Sequence, residues 1–201
     1  MRIVINEFIS LDGVVQAPGG PQEDTEGGFA HGGWSHPFFD PSTLGPFIND
    51  TLADADALLF GRRTWQTMAA AWPGRAGDPF ADQMNSIRKY VVSDTLTEAD
   101  LTWTNTALVP GPEAASWARA QRAADGRDLL VMGSPTLVRS LLSADLVDEL
   151  RLMVMPVVLG GGKTIFPTDG VRRAFELVSS ETAKTGTQVT TYRRAADATT
   201  A

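Results

Sequence analysis

The chain has 201 residues, 43% hydrophobic and 20% charged, which is the balance of a globular domain able to bury a sizeable core. Its 24 acidic and 17 basic side chains leave a formal charge of −7, which argues against a broad electrostatic footprint for nucleic acid or an anionic membrane surface. With no cysteine, disulfides, thiolate catalysis and cysteine metal sites are excluded, and no apolar run approaches the ~18 residues of a membrane span, so a cytoplasmic protein is expected.

The first segment, RIVINEFI, has strand composition, although Asn6 and Glu7 interrupt its apolar run. Residues 10–41 then carry seven glycines and four prolines with no periodicity. A loop of that length in a compact domain is usually functional or disordered, and Phe29, Trp34, Phe38 and Phe39 favour function, because disordered linkers are poor in aromatics. His31 and His36 lie in it without a third ligand, so no metal is expected. Residues 44–54 read as a helix, DALLF as a strand, and RRTWQTMAAA as a second helix ending before Pro73. A short helix and a strand near Lys89 to Ser93 follow, then the strand TALV. PEAASWARAQRAADG is a helix with Pro112 near its start and Gly126 beyond its end.

RDLLVMGSPTLVRSLL reads as strand, glycine turn and helix, and ELRLMVMPVVL as a long strand. Two strands joined across KTGT form a terminal hairpin. Strands alternating with helices imply right-handed crossovers and a mostly parallel sheet. One domain is expected over residues 1–194, with a disordered tail at 195–201. The acids Asp148 and Glu149 open a strand and are expected to support the fold rather than perform chemistry.

Three junctions share one design: ALLFG-RRT, YVVS-DT and LLVMG-SPT. Each runs from an apolar strand through a small residue into a helix start or loop. In open α/β sheets ligands bind at the carboxyl ends of strands, and free N–H groups at helix starts favour anions. Arg62 and Arg63 add charge, and Thr64 and Ser134 add hydroxyls, with Ser134 expected to cap a helix that has Pro135 at its first position. A nucleotide or other phosphate ligand is the reading these junctions support.

The segments LLFGRRTWQTM, KYVVSDTL and LLVMGSPTLVRSLL resemble the dihydrofolate reductase superfamily. SLDG and LVDELRLMVMPVVLGGGKTIF bring the resemblance closer to the reductase domain of the bacterial bifunctional riboflavin-pathway deaminase-reductase. It covers the chain from Arg2 to about Arg193. It implies an α/β, three-layer, dihydrofolate reductase-like fold with a C-terminal antiparallel hairpin. It also implies an NADPH-dependent reductase of a flat heterocycle, pyrimidine- or pterin-like, related to 5-amino-6-(5-phosphoribosylamino)uracil reductase. The alternative is a non-catalytic nucleotide- or pterin-binding module of the same fold.

Carried over position by position, the resemblance puts Gly61, Arg62 and Thr64 at the cofactor phosphates. Ser93 falls near the 2′-phosphate with Arg62 or Arg63, and Gly133, Ser134, Thr136 and Leu137 form the second phosphate turn. Asp12 would be the catalytic residue, orienting the substrate or relaying a proton through water, with Trp34, Phe38 and Gly161 facing the substrate. Val14 and Val15 follow Gly13 where the riboflavin-type reductases carry a lysine for the ribose phosphate. The resemblance further implies a homodimer around the C-terminal strands. Met153, Met155 and Val157 share one face of ELRLMVMPVVL, and Leu152, Val154 and Val158 the other. Covering both needs a helix layer or a second subunit.

Overall fold

The computed structural model describes residues 1–75 and 77–196. Eight strands form one sheet in the order β4-β3-β2-β5-β1-β6-β8-β7. Its members are β1 (Arg2–Ser10), β2 (Ala55–Gly61), β3 (Arg88–Val92), β4 (Thr106–Val109), β5 (Asp128–Met132), β6 (Glu149–Met155), β7 (Phe175–Thr182) and β8 (Gln188–Arg194). All pairings from β4 to β6 are parallel, and β8 and β7 join antiparallel at one side. The helices are α1 (Pro41–Ala53), α2 (Arg62–Ala71), α3 (Pro79–Ser86), α4 (Ala114–Ala123) and α5 (Pro135–Ser143).

The two-residue period of the strands divides the core. Ile3, Ile5 and Ile9 of β1, Ala57 and Leu59 of β2, and Leu129 and Val131 of β5 pack with Leu137, Val138 and Leu141 of α5 and Ala118 of α4. The alternate residues Val4, Leu58, Phe60 and Leu130 pack with Leu52 of α1, Trp65 of α2 and Met84 of α3. Strands covered on both faces need apolar residues on both, which is why these read as nearly unbroken apolar runs.

The helix at 44–54 begins earlier than its periodicity suggests. Asp40 caps it, its carboxylate accepting the Ser42 N–H at 3.0 Å, and Pro41 takes the first turn. The strand ELRLMVM is an interior one, and one chain covers both its faces. Met153 and Met155 lie against Leu44 of α1 and Trp34 of the long loop, while Leu150 and Leu152 face the α5 side. Of the two covers expected for this strand, a helix layer or a second subunit, the Met155 face has the helix layer, from α1.

At the amino edge of the sheet, Glu149 is buried and pairs with Arg2 at 3.2 Å and Arg151 at 2.8 Å. Arg2 also holds Asp128 through two contacts of 2.8 and 2.7 Å. Asp148 accepts the Ile3 N–H at 2.9 Å and pairs with Arg122. Both acids thus tie strands together at the end opposite the glycine junctions. Of the tail expected at 195–201, Ala195 donates its N–H to the Ala174 carbonyl at 3.0 Å, and residues 197–201 lie outside the described residues.

Candidate active site

β5 stops at Met132, paired with Asn6 of β1, whereas β1 continues to Ser10 with only β6 beside it. The early end of a central strand leaves a gap between β1 and the start of α2, and a cleft of about 380 Å³ fills it. Its walls are the end of β1, the loop segment Val15 to Asp24, one side of α2 from Arg63 to Trp72, and the turn Met132 to Pro135. That volume suits a small-molecule site.

Two of the three glycine or serine junctions meet here. Gly133 has φ +67 and Ser134 φ +68, a pair of left-handed residues that turns β5 sharply into α5. A side chain at Gly133 would also place its Cβ 3.0 Å from Thr64 Cγ2, so the turn presses close against the start of α2. Ser134 does not cap α5 through its side chain. A capping residue needs extended backbone angles, and the left-handed conformation points its hydroxyl elsewhere. It accepts the Gly61 N–H at 2.8 Å and so latches the β2–α2 junction to the β5–α5 junction.

Of the residues expected at the cofactor, Arg63, Thr64, Gly133 and Ser134 line this cleft together. Gly61 stands behind them through its bond to Ser134. Leu137 is buried in the core and Thr136 is exposed on α5. Gly61 pairs with Val92 in the sheet, so Arg62 and Ser93 emerge side by side at the ends of neighbouring strands. Ser93 Oγ accepts the N–H groups of Thr95 and Leu96 at 3.1 and 3.0 Å, and the Arg62 guanidinium contacts only Gln66, at 3.4 Å, among the described residues. Arg63 holds the Glu26 carboxylate with both terminal nitrogens, and Lys163 bridges Asp24 and Glu26 at 2.5 Å each. This cluster pins the long loop to α2 and holds the Glu26 carboxyl down to about 2, chiefly through Arg63.

The residues expected at the substrate do not gather there. Asp12 is exposed and does not line the cleft. Its carboxylate accepts the Ser10 hydroxyl at 2.6 Å and the Leu159 and Gly160 N–H groups at 3.2 and 2.8 Å. Those bonds, the Ser10 hydroxyl foremost, hold it below the usual carboxylate range. Trp34 is buried, with its indole N–H on the Gln16 carbonyl at 2.7 Å, and Phe38 packs into the same cluster over β6 and β8. Gly161 lines a second, neighbouring cavity of about 480 Å³ with Phe29, His31 and Lys163.

Two cleft residues went unnoticed as candidates. Asn6 and Glu7 line the floor, 4% and 3% exposed, and Asn6 Oδ1 and Glu7 Oε1 have no hydrogen-bond partner. Burial pushes the Glu7 carboxyl well above its ordinary value of 4.5, against the Gly133 N–H, and Glu23 adds to the rise. The signal for them was their polarity in the middle of a strand that is otherwise apolar on both faces.

Comparison with known proteins matches residues 2–189 to the model of the RibD C-terminal domain. YyaP of Bacillus subtilis (strain 168) is 27% identical over 190 residues, spanning 92% of this chain and 90% of that protein. Among solved structures, a protein of Shewanella sp. PV-4 assigned to riboflavin biosynthesis superposes with a TM-score of 0.72 at 22% identity, over 98% of this chain and 100% of that one. A pyrimidine reductase-like protein of Corynebacterium diphtheriae gives 0.64 at 15% identity, covering 98% and 92%. Dihydrofolate reductase of Enterococcus faecalis, complexed with NADP(H) and RAB-propyl, gives 0.58 at 16% identity, covering 96% of each. The sheet order, the superposition and the match over nearly the whole length agree: the fold is dihydrofolate reductase-like, and the chain belongs to the RibD C-terminal domain family.

Proposed function

We propose that this reductase-type domain uses NADPH to reduce a flat heterocycle, pyrimidine- or pterin-like, in the cleft at the end of β5. The observation that carries the reading is the meeting of two strand-to-helix junctions on one wall: Arg63 and Thr64 at the start of α2, Gly133 and Ser134 before α5. The residues present fit a dinucleotide. Gly133 leaves open the space that a Cβ would take beside Thr64, and the first N–H groups of two helices have no intrahelical partner. The Enterococcus reductase of the same fold was solved with NADP(H), which supports the choice of cofactor.

When bound, NADPH supplies a hydride. The chain's own residues bind and orient. Arg63, Thr64 and the Gly133–Ser134 turn would hold the pyrophosphate. Arg62 and Ser93, side by side at the ends of β2 and β3, would hold the 2′-phosphate. The apolar side of α2, with Met68 and Trp72, and the Val15–Pro18 loop segment would enclose the acceptor ring and exclude water. Asp12 would anchor the Leu159–Gly160 turn that borders the second cavity.

The reading is tested by following NADPH absorbance with the protein and a panel of pyrimidine, pterin and related C=N heterocycles. Oxidation that depends on both protein and acceptor is expected. NADPH binding without oxidation across the panel would instead support the non-catalytic module.

A further inference from the structure

Among the described residues, Glu7 occupies a position no other acid shares. Its backbone pairs with Leu152 of β6 on one side, while on the other β5 has ended one residue earlier and turned away as Gly133. It is therefore the first β1 residue whose flank opens into the cleft. Strand alternation puts its side chain on the face of Ile5 and Ile9, toward α5. The Gly133 backbone N–H lies on the side of the carboxyl and favours its charged form against the effect of burial, and Oε1 is left without a partner.

An ionised carboxylate buried this way would need a cation or several donors. No ion pair to Glu7 exists among the described residues, and the cations of the cleft wall do not face it unengaged. Arg63 is held by Glu26, and Arg75 lies over the Trp72 ring at 4.8 Å. The acids on that wall are Glu23 and Asp24, of which Asp24 is paired with Lys163 and Glu23 opposes a second negative charge. Such surroundings keep a carboxylic acid neutral, so it presents an O–H to whatever enters the cleft.

We propose that Glu7 is the proton donor of the reduction, a neutral carboxylic acid at the cleft floor that protonates the acceptor's ring nitrogen. This rests on the reductase reading above. At the acceptor C=N bond the carbon gains hydride from the dihydronicotinamide, the π pair moves to nitrogen, and nitrogen takes the Glu7 proton. The carboxylate left behind regains a proton from water through the open cleft. The Gly133 N–H steadies that transient charge, and the same turn is the one proposed to hold the cofactor phosphates.

The test compares the full chain with Glu7→Gln. Infrared spectra at neutral pH should show the carbonyl stretch of a protonated carboxylic acid in the natural protein and lose it in the variant. The variant should bind NADPH within about twofold of the natural protein and lose kcat by about 100-fold or more. The natural protein's kcat should fall at alkaline pH as Glu7 ionises, and that limb should vanish in the variant. Absence of the infrared band, or a variant with unaltered kcat and the same alkaline limb, overturns the proposal and leaves the reductase reading intact. Should Glu7→Gln fail to fold by circular dichroism, the band and the alkaline limb of the natural protein decide, and the lack of either overturns it. A natural protein that oxidises NADPH with no acceptor of the panel removes the reductase reading, and this role with it, whereas turnover with a panel acceptor leaves that reading standing for the Glu7 test.

Discussion

Asp12 and Glu7 show how surroundings divide two acids five positions apart. Asp12 stands in water with three hydrogen-bond donors on its oxygens, which favour the charged form. Replacing it by asparagine exchanges one carboxylate acceptor for an amide NH2 donor that faces backbone N–H groups. Asp12→Asn should cost about 1 kcal/mol in urea unfolding while leaving NADPH affinity unaltered. Glu7 is the reverse case. Its folded-state pKa lies above the unfolded value of 4.5, so the folded chain binds more protons than the unfolded one between those two values. The stability this group contributes is complete below about 4.5 and is lost as pH rises toward its folded value. Melting temperature should therefore decline from mildly acidic to alkaline pH more steeply in the natural protein than in Glu7→Gln; parallel profiles would contradict the account of Glu7. Asp12 is marked in the sequence by the SLDG motif. Glu7 lay in a stretch read only as strand, because burial of a single carboxyl depends on where the neighbouring strand ends, and no local pattern encodes that.

The elements themselves were largely legible. Strands buried on both faces announce themselves as apolar runs, and the glycine and serine junctions marked their carboxyl ends. What local pattern could not settle was which layer covers a strand. ELRLMVM reads equally well as a dimer face or an interior strand, and it is α1, with Trp34 of the loop, that decides. Asp40 and Pro41 were a readable helix start, hidden by the density of glycine and proline before them. The loop aromatics likewise read as ring-stacking candidates, yet Trp34 and Phe38 serve to seal the loop onto β6 and β8. At the amino edge, Glu149 is a buried carboxylate held by Arg2 and Arg151. Glu149→Ala leaves those guanidinium groups without their shared partner and should cost about 3–5 kcal/mol in chemical denaturation, with no direct effect on a cleft at the other end of the sheet. A loss below about 1 kcal/mol would show that the network is held by its solvated members.

At the scale of the whole molecule, two of the exposed large apolar side chains lie side by side on the hairpin's outer strand. β7 is an edge strand of eight residues, with Leu177 57% and Val178 48% exposed. Such an edge is a template for pairing with another strand, and a twofold dimer would bring it against itself. We expect light scattering at micromolar concentration to give twice the 21.5 kDa chain mass, and Val178→Lys to give a folded monomer. A monomer in the natural protein, unchanged with concentration, would contradict this assembly without touching the cleft. The cleft itself is the product of the topology: a central strand, β5, that stops early between β2, which runs into α2 at Gly61, and β1, which continues to Ser10.

Parallel fluorescence titrations of NADPH and NADH into the natural protein and into Arg62→Ala test the central claim most directly. Arg62 and Ser93 at neighbouring strand ends would add one or two charge-assisted hydrogen bonds to a 2′-phosphate, so NADPH should bind tighter than NADH by about 2 kcal/mol, roughly 30-fold in Kd. Arg62→Ala should close most of that gap by weakening NADPH alone. Equal affinities for the two dinucleotides in the natural protein, or no binding of either, would contradict the account.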